Sequence, residues 1–325
     1  MHKILITSRL FGRTTPEAYE LLKREGVEFK REQDHRGDWS EEEIVAALEG
    51  YQGMILGADE PMTRKVLSAL PELKVLSRHG VGFDNIDLAA ATEQGIVVAI
   101  TAGANDNSVA DLTMGLIISV ARHIPFFDRF IRTGEFWKRK PGNDVYGQTL
   151  GLIGMGRIGR SVARRASGFD MRILAYDLVK DEGFAARYGI EYLPLDEVLS
   201  RSDFISIHLP SSAQTTKFIG ERELRMMKAS AYFINTSRGN VVDEAALICA
   251  LQEGWIAGAG LDVFENEPPE KNHPLFALEN VVLTPHIAGA SRAAMRAMSL
   301  DSASNAIRVL RGEPPTAMAN PEVWK

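Results

Sequence analysis

Short apolar runs alternate with amphipathic runs of about ten to fifteen residues almost from end to end, the pattern of a parallel sheet built from βα units. In the first hundred residues the apolar runs predict strands at Lys3–Thr7, Val27–Lys30, Gly53–Leu56, Lys74–Ser77 and Ile96–Ala99. The stretches between them carry helix boundary signals, such as Pro16 in a first turn with Gly26 after the last, and Ser40 followed by Glu43 as a capping box. Five strands and four helices make one small, doubly wound domain.

A longer helix is predicted from Asn105 to Arg122, with the apolar centre "VADLTMGLIISVA", and a second follows Pro125. A helix that apolar is expected to pack between domains rather than lie on a surface. The alternation then restarts, with strands predicted at Thr149–Ile153, Arg172–Tyr176, Glu191–Leu193, Phe204–His208, Tyr232–Asn235, Ala257–Leu261 and Val281–Leu283. These form a second, larger sheet, and a closing helix at about Ala290–Arg311 could pack on either domain. The fold class is α/β, with two doubly wound parallel-sheet domains.

Composition narrows the partners. The 325 residues are 45% hydrophobic and 25% charged, with a net charge of −6 and no basic block, which argues against a nucleic-acid or anionic-membrane surface. Cys249 is the lone cysteine, so no internal disulfide forms, and "MHKILITSRL" has too short an apolar run for a signal peptide. No stretch approaches the length of a membrane span. A cytoplasmic location is expected. Seven scattered histidines without ligand spacing predict no metal site.

"GLIGMGRIG" places Gly154, Gly156 and Gly159 in the G-x-G-x-x-G spacing, between the apolar run Leu150–Ile153 and the helical pattern Arg157–Ala166. That context suits a dinucleotide pyrophosphate at a helix N-terminus. Asp177 ends the next strand, 18 residues after Gly159, where a carboxylate accepts bonds from the ribose hydroxyls and repels a 2′-phosphate, so NAD is expected over NADP. Lys180 nearby pulls the other way. The glycine pair in "SRHGVGFDNID" lacks the third glycine. Its backbone N–H groups suit a nest for a small anion such as a carboxylate, the alternative being a structural turn.

Arg238 in "INTSRGNVVDE", Glu267 in "LDVFENEPPE" and His286 in "LTPHIAGAS" follow predicted strands of the second sheet, at the edge where open α/β sheets bind ligands. Each alone has a bland reading as a loop residue. Together they offer an acid/base, a carboxylate to orient it and a cation for a substrate anion, as hydride transfer to a 2-keto acid requires.

With "GLIGMGRIG", "NTSRGNVVDE", "LDVFENEPP" and "TPHIAG" in this order, the chain resembles the D-isomer-specific 2-hydroxyacid dehydrogenase family over essentially its whole length. Its look is nearest to short phosphoglycerate dehydrogenase and hydroxypyruvate reductase types. The resemblance implies a Rossmann NAD-binding domain, 103–289, inserted into a flavodoxin-like substrate-binding domain, 1–102 and 290–325. It also implies a homodimer with the region from the Asn105 helix through "GEFWKRK" in the interface. It makes His286 the acid/base, Glu267 its partner and Arg238 the clamp on the substrate carboxylate and carbonyl. NAD contacts are implied at Gly154, Met155, Gly156, Arg157, Ile158, Gly159, Asp177, His208, Pro210, Thr236, Ser237, Asp262, His286 and Gly289. Substrate contacts are implied at Val81 and Gly82, with Arg78, His79 and Arg139 toward the side group.

The resemblance places Arg78 and Arg139 at or close to positions that phosphoglycerate dehydrogenases use for a phosphate-bearing substrate, and two guanidinium groups suit a dianion, so 3-phosphoglycerate/3-phosphohydroxypyruvate is the first expectation. Against it, "MILGADEPMT" has no arginine after its strand, His79 replaces the usual small residue, and "AITAGAND" departs from the common "NTPGAN". The alternative is a hydroxypyruvate/glyoxylate reductase or another specialised 2-hydroxyacid dehydrogenase. A third reading is an NAD-sensing corepressor-like binding protein, since such relatives keep the Arg, Glu and His; turnover of 2-keto acids separates the two classes.

Overall fold

The computed structural model describes residues 2–32 and 39–324. The chain divides into two compact units, Met1–Asn105 with Gly289–Lys325, and Asp106–Ala288.

The first segment alternates β1 (Lys3–Ile6), α1 (Glu17–Arg24), β2 (Glu28–Arg31), α2 (Glu41–Leu48), β3 (Gly53–Leu56), α3 (Arg64–Ser68), β4 (Val75–Arg78), α4 (Leu88–Glu93) and β5 (Val97–Ala99). All pairings are parallel and the order is β2-β1-β3-β4-β5, a flavodoxin-like sheet. Side chains alternate across it. Leu5 packs with residues of α2, α3 and α4, whereas Ile4 and Ile6 pack with α1 and the C-terminal helix. Burial on both faces is why these strands read as apolar runs, and each aliphatic so buried contributes about 1.5–3 kcal/mol. The capping box at Ser40 and Glu43 forms as expected, with the Ser40 hydroxyl accepting from Glu43 N and the Glu43 carboxylate accepting from Ser40 N. Pro16 sits one residue earlier than expected, as the N-cap of α1.

The second unit begins with α5 (Asp106–Ala121) and α6 (Ile124–Ile131). It continues through β6 (Thr149–Ile153), α7 (Arg157–Ala166), β7 (Arg172–Tyr176), α8 (Glu182–Tyr188), β8 (Ile190–Tyr192), α9 (Leu195–Arg201), β9 (Phe204–Ile207), α10 (Glu221–Met226), β10 (Tyr232–Asn235), α11 (Glu244–Gln252), β11 (Gly258–Leu261) and β12 (Val281–Leu283). The parallel order β12-β11-β10-β9-β6-β7-β8 reverses direction between β6 and β9, the crevice where this architecture binds dinucleotides. The apolar α5 is a core helix of this unit: Met114, Leu116, Ile117 and Val120 pack with Tyr232 and Ile234 of β10. By contrast, α6 buries none of its residues.

The closing helix, α12 (Arg292–Leu310), returns to the first unit and lies on β3 and β4 beside α1. No single helix among the described residues is long and apolar enough to cross a membrane.

Candidate active site

The glycine loop follows β6 at the sheet's switch point, and each glycine answers a different constraint. Gly154 has φ +96°, and a Cβ there would lie 2.8 Å from the His208 carbonyl oxygen. At Gly159 a Cβ would lie 2.1 Å from the Gly154 carbonyl oxygen, so only glycine lets α7 close on the loop. Around the Cβ position of Gly156 nothing lies within 4 Å, leaving the space through which a pyrophosphate reaches the α7 N-terminus. The loop therefore fits a dinucleotide.

Asp177, just beyond β7, ties this loop down: Oδ2 accepts from Met155 N at 2.6 Å and Oδ1 from Val179 N at 2.8 Å. Each oxygen keeps acceptor capacity for a hydroxyl. The other cofactor candidates divide into backbone and side-chain roles. The Met155 side chain is buried in the core and Ile158 packs against it, so both face away from solvent. The Arg157 guanidinium is held by Asp106 at 2.7 Å. His208 pairs with the Ser206 hydroxyl at 3.0 Å, its Nδ1 has no partner, and burial pulls the imidazole down to about 4. Pro210 is exposed two residues on. Thr236 is pinned to Thr113 of α5 through a 2.9 Å hydroxyl pair. Gly289 belongs to the other unit, where its Cβ position lies 3.1 Å from Asn105 Nδ2.

Arg238, Glu267 and His286 follow β10, β11 and β12, which are neighbours in the sheet, so their loops emerge side by side at the carboxyl edge. His286 Nδ1 meets Glu267 Oε2 at 2.6 Å, leaving Nε2 to exchange a proton with a substrate. Glu267 Oε1 accepts from Phe264 N at 3.0 Å. Burial pushes the Glu267 carboxyl up, but the His286 bond and charge, the Phe264 N–H and the Arg238 charge outweigh it and leave the group below the ordinary glutamate value.

His286 adopts the left-handed conformation, φ +52°, which costs an L residue about 1–2 kcal/mol. Asp262, wholly buried, holds it there. Its backbone oxygen accepts from His286 N at 2.8 Å, and its carboxylate accepts from Ile287 N, Ala288 N and the Thr284 hydroxyl at 2.9, 2.8 and 2.6 Å. Burial raises the Asp262 carboxyl despite these bonds. Expected only as a cofactor contact, Asp262 builds the turn that carries His286. Asn235 does the same for the loop that carries Arg238 and was missed by sequence reasoning. Its Oδ1 accepts from Ser237 N and the Ser237 hydroxyl, and its Nδ2 donates to Arg238 O. Its only sequence signal is an amide ending a buried strand. Arg238 NH1 in turn donates to Ser237 O at 2.7 Å.

In the first unit, the turn after β4 is anchored through its carbonyls: Gly80 O accepts from Thr101 N and its hydroxyl, and Gly82 O accepts from Arg78 Nε at 2.6 Å. The Val81 and Gly82 N–H groups suit a carboxylate by chemistry. Behind them His79 Nε2 pairs with the Ser299 hydroxyl at 3.0 Å, and burial, with the Arg78 charge, lowers the ring to about 4.

Arg78 and Arg139, the candidates for a phosphate, fall in different units. Arg78 is buried and also reaches Leu56 O and His79 O at 3.4 Å, because a buried guanidinium must find acceptors and the adjacent backbone supplies them. Arg139 lies in the other unit, exposed, donating to Phe136 O and Lys138 O beside the Phe136 and Trp137 rings.

Residues 114–288 match the family described as D-isomer specific 2-hydroxyacid dehydrogenase, NAD binding domain. A glyoxylate reductase of Korarchaeum cryptofilum is 46% identical over 292 residues, 88% of each chain. A crystal structure of a glyoxylate reductase from Paecilomyes thermophila superposes with a TM-score of 0.87 at 32% identity over 99% of each chain. An NADPH-dependent glyoxylate/hydroxypyruvate reductase from Sinorhizobium meliloti, solved with NADP and malonate, gives 0.85 at 31% identity over 98% of this chain and 96% of that one.

Proposed function

Because the chain belongs to the D-isomer-specific 2-hydroxyacid dehydrogenase family, NAD-dependent oxidoreductases acting on the CH–OH group of 2-hydroxy acids, we propose that it reduces glyoxylate and hydroxypyruvate. The observation that carries this reading is the 2.6 Å His286–Glu267 pair within reach of the Arg238 charge.

A dinucleotide held by the Gly154–Gly159 loop and Asp177 would supply the hydride for the carbonyl carbon in reduction. His286 Nε2 gives its proton to the carbonyl oxygen, and in oxidation the neutral ring takes the hydroxyl proton. The Glu267 carboxylate holds Nδ1–H and favours the imidazolium. Arg238 binds the substrate carboxylate and carbonyl oxygen through charge-assisted bonds. Substrate choice follows from the commitment of Arg78 to its own loop and from the names the relatives carry. The test is the initial rate of NADH oxidation with glyoxylate, hydroxypyruvate and 3-phosphohydroxypyruvate. We expect kcat/KM at least about tenfold higher for the unphosphorylated acids, or 1.4 kcal/mol; a preference for the phosphorylated acid would overturn the assignment.

Asp177 is the selector for NADH. Asp177→Ala should narrow the NADH to NADPH preference about tenfold, since a 2′-phosphate would no longer meet a carboxylate; an unmoved ratio would assign selection to another group. The working form is a cytoplasmic homodimer. The helix α6, none of whose residues is fully buried, and the exposed Ile124, Ile131, Phe136 and Trp137 offer apolar surface for it, and light scattering should read twice the 35.8 kDa chain mass. A monomer at micromolar concentration would refute this.

A further inference from the structure

The second unit holds another histidine–carboxylate pair on the stretch that carries Glu267. His273 Nε2 lies 2.9 Å from Glu244 Oε1, with side chains only 12% and 15% exposed. Both Glu244 oxygens are used, because Oε2 accepts from Glu265 N at 3.1 Å. The His273 Nδ1 accepts from Leu275 N at 3.4 Å, which makes Nε2 the N–H that Glu244 accepts. Glu244 opens α11 directly after the N-cap Asp243, whose carboxylate accepts from Ala246 N. The pair is thus built from a helix end.

Its hold falls next to the catalytic geometry. Glu265 follows Phe264, whose N–H orients Glu267 Oε1. The Phe264 ring stands edge-on to His273, centroids 5.7 Å apart. On the other side, a Cβ at Gly239 would lie 1.8 Å from Phe264 O, so the same turn presses on the residue after Arg238.

We propose that Glu244, with His273, is a positioning residue for the reaction: it fixes the Phe264–Glu267 turn so that Glu267 meets His286 Nδ1. The inference depends on the reading of His286 and Glu267 as the proton-handling pair. A staple acting on stability alone would lower Tm without changing how His286 titrates. That difference sets the experiment.

Glu244→Gln keeps the volume but offers one acceptor oxygen to two donors. In the full-length protein it should lower kcat about tenfold with the fastest 2-keto acid, in keeping with the cost of small misplacements, and leave NADH affinity unchanged. The His286 ring, followed by NMR, should titrate at lower pH than in the native protein. His273→Gln, which can still donate to Glu244, should retain most activity; His273→Leu, similar in size without a donor, should match Glu244→Gln. A native His286 titration in Glu244→Gln, or equal activity of the two His273 variants, would overturn the proposal. Should Glu244→Gln fail to fold, the two His273 variants decide. A native protein that turns over no 2-keto acid would fail the proposed function instead, while the NMR titration still decides the positioning of Glu267.

Discussion

His286→Ala is expected to lower kcat for 2-keto acid reduction by about a thousandfold, the ordinary scale of general acid catalysis, with NADH affinity within about twofold of native. The glycine loop and Asp177, proposed to hold the cofactor, are set by β6 and β7 and make no use of this imidazole. What disappears is the proton donor. The residual rate should also be pH-independent, whereas native turnover should respond in opposite directions: reduction needs the imidazolium and falls as pH rises through the ring's titration, while oxidation needs the neutral ring and rises. Glu267 sets where that happens. Its carboxyl is held below the ordinary value, so it remains ionised wherever the enzyme works, and Glu267→Gln removes the charge that favours the imidazolium. The reduction limb should then move to lower pH. A His286→Ala enzyme with near-native kcat would remove the acid/base assignment.

Arg238→Ala should lower kcat/KM by about 10²–10⁴-fold, since an unpaired carboxylate in a desolvated site costs about 3–5 kcal/mol. Lysine should recover only part of this, because a point charge cannot make the forked contact. The Asn235 and Asp262 networks hold the neighbouring backbone without the guanidinium, so NADH binding and Tm should change little. An unchanged kcat/KM would exclude the clamp.

The strands were legible because parallel strands buried on both faces read as continuous apolar runs. Boundaries slipped where a polar residue ends a strand: β4 runs on to Arg78, which hydrophobicity cannot count. The three candidate groups Arg238, Glu267 and His286 stand out in the sequence as polar residues just after late strands, where few other roles compete. The contacts of Arg78 are not visible there, because sequence does not show which carbonyls a strand-terminal guanidinium reaches. Glu244 and His273 stand 29 residues apart, and no local pattern joins them. Asp262 was noticed for its position, yet its work is done through three donors that come together only when β11 and β12 pair.

The most direct measurement is the product formed by the native enzyme with NADH and glyoxylate at neutral pH, glycolate measured against the fall in NADH absorbance. Equimolar glycolate and oxidised NADH, lost on His286→Ala, is the predicted result. Binding of NADH with neither its oxidation nor glycolate would contradict it and leave an NAD-sensing protein built on the same site.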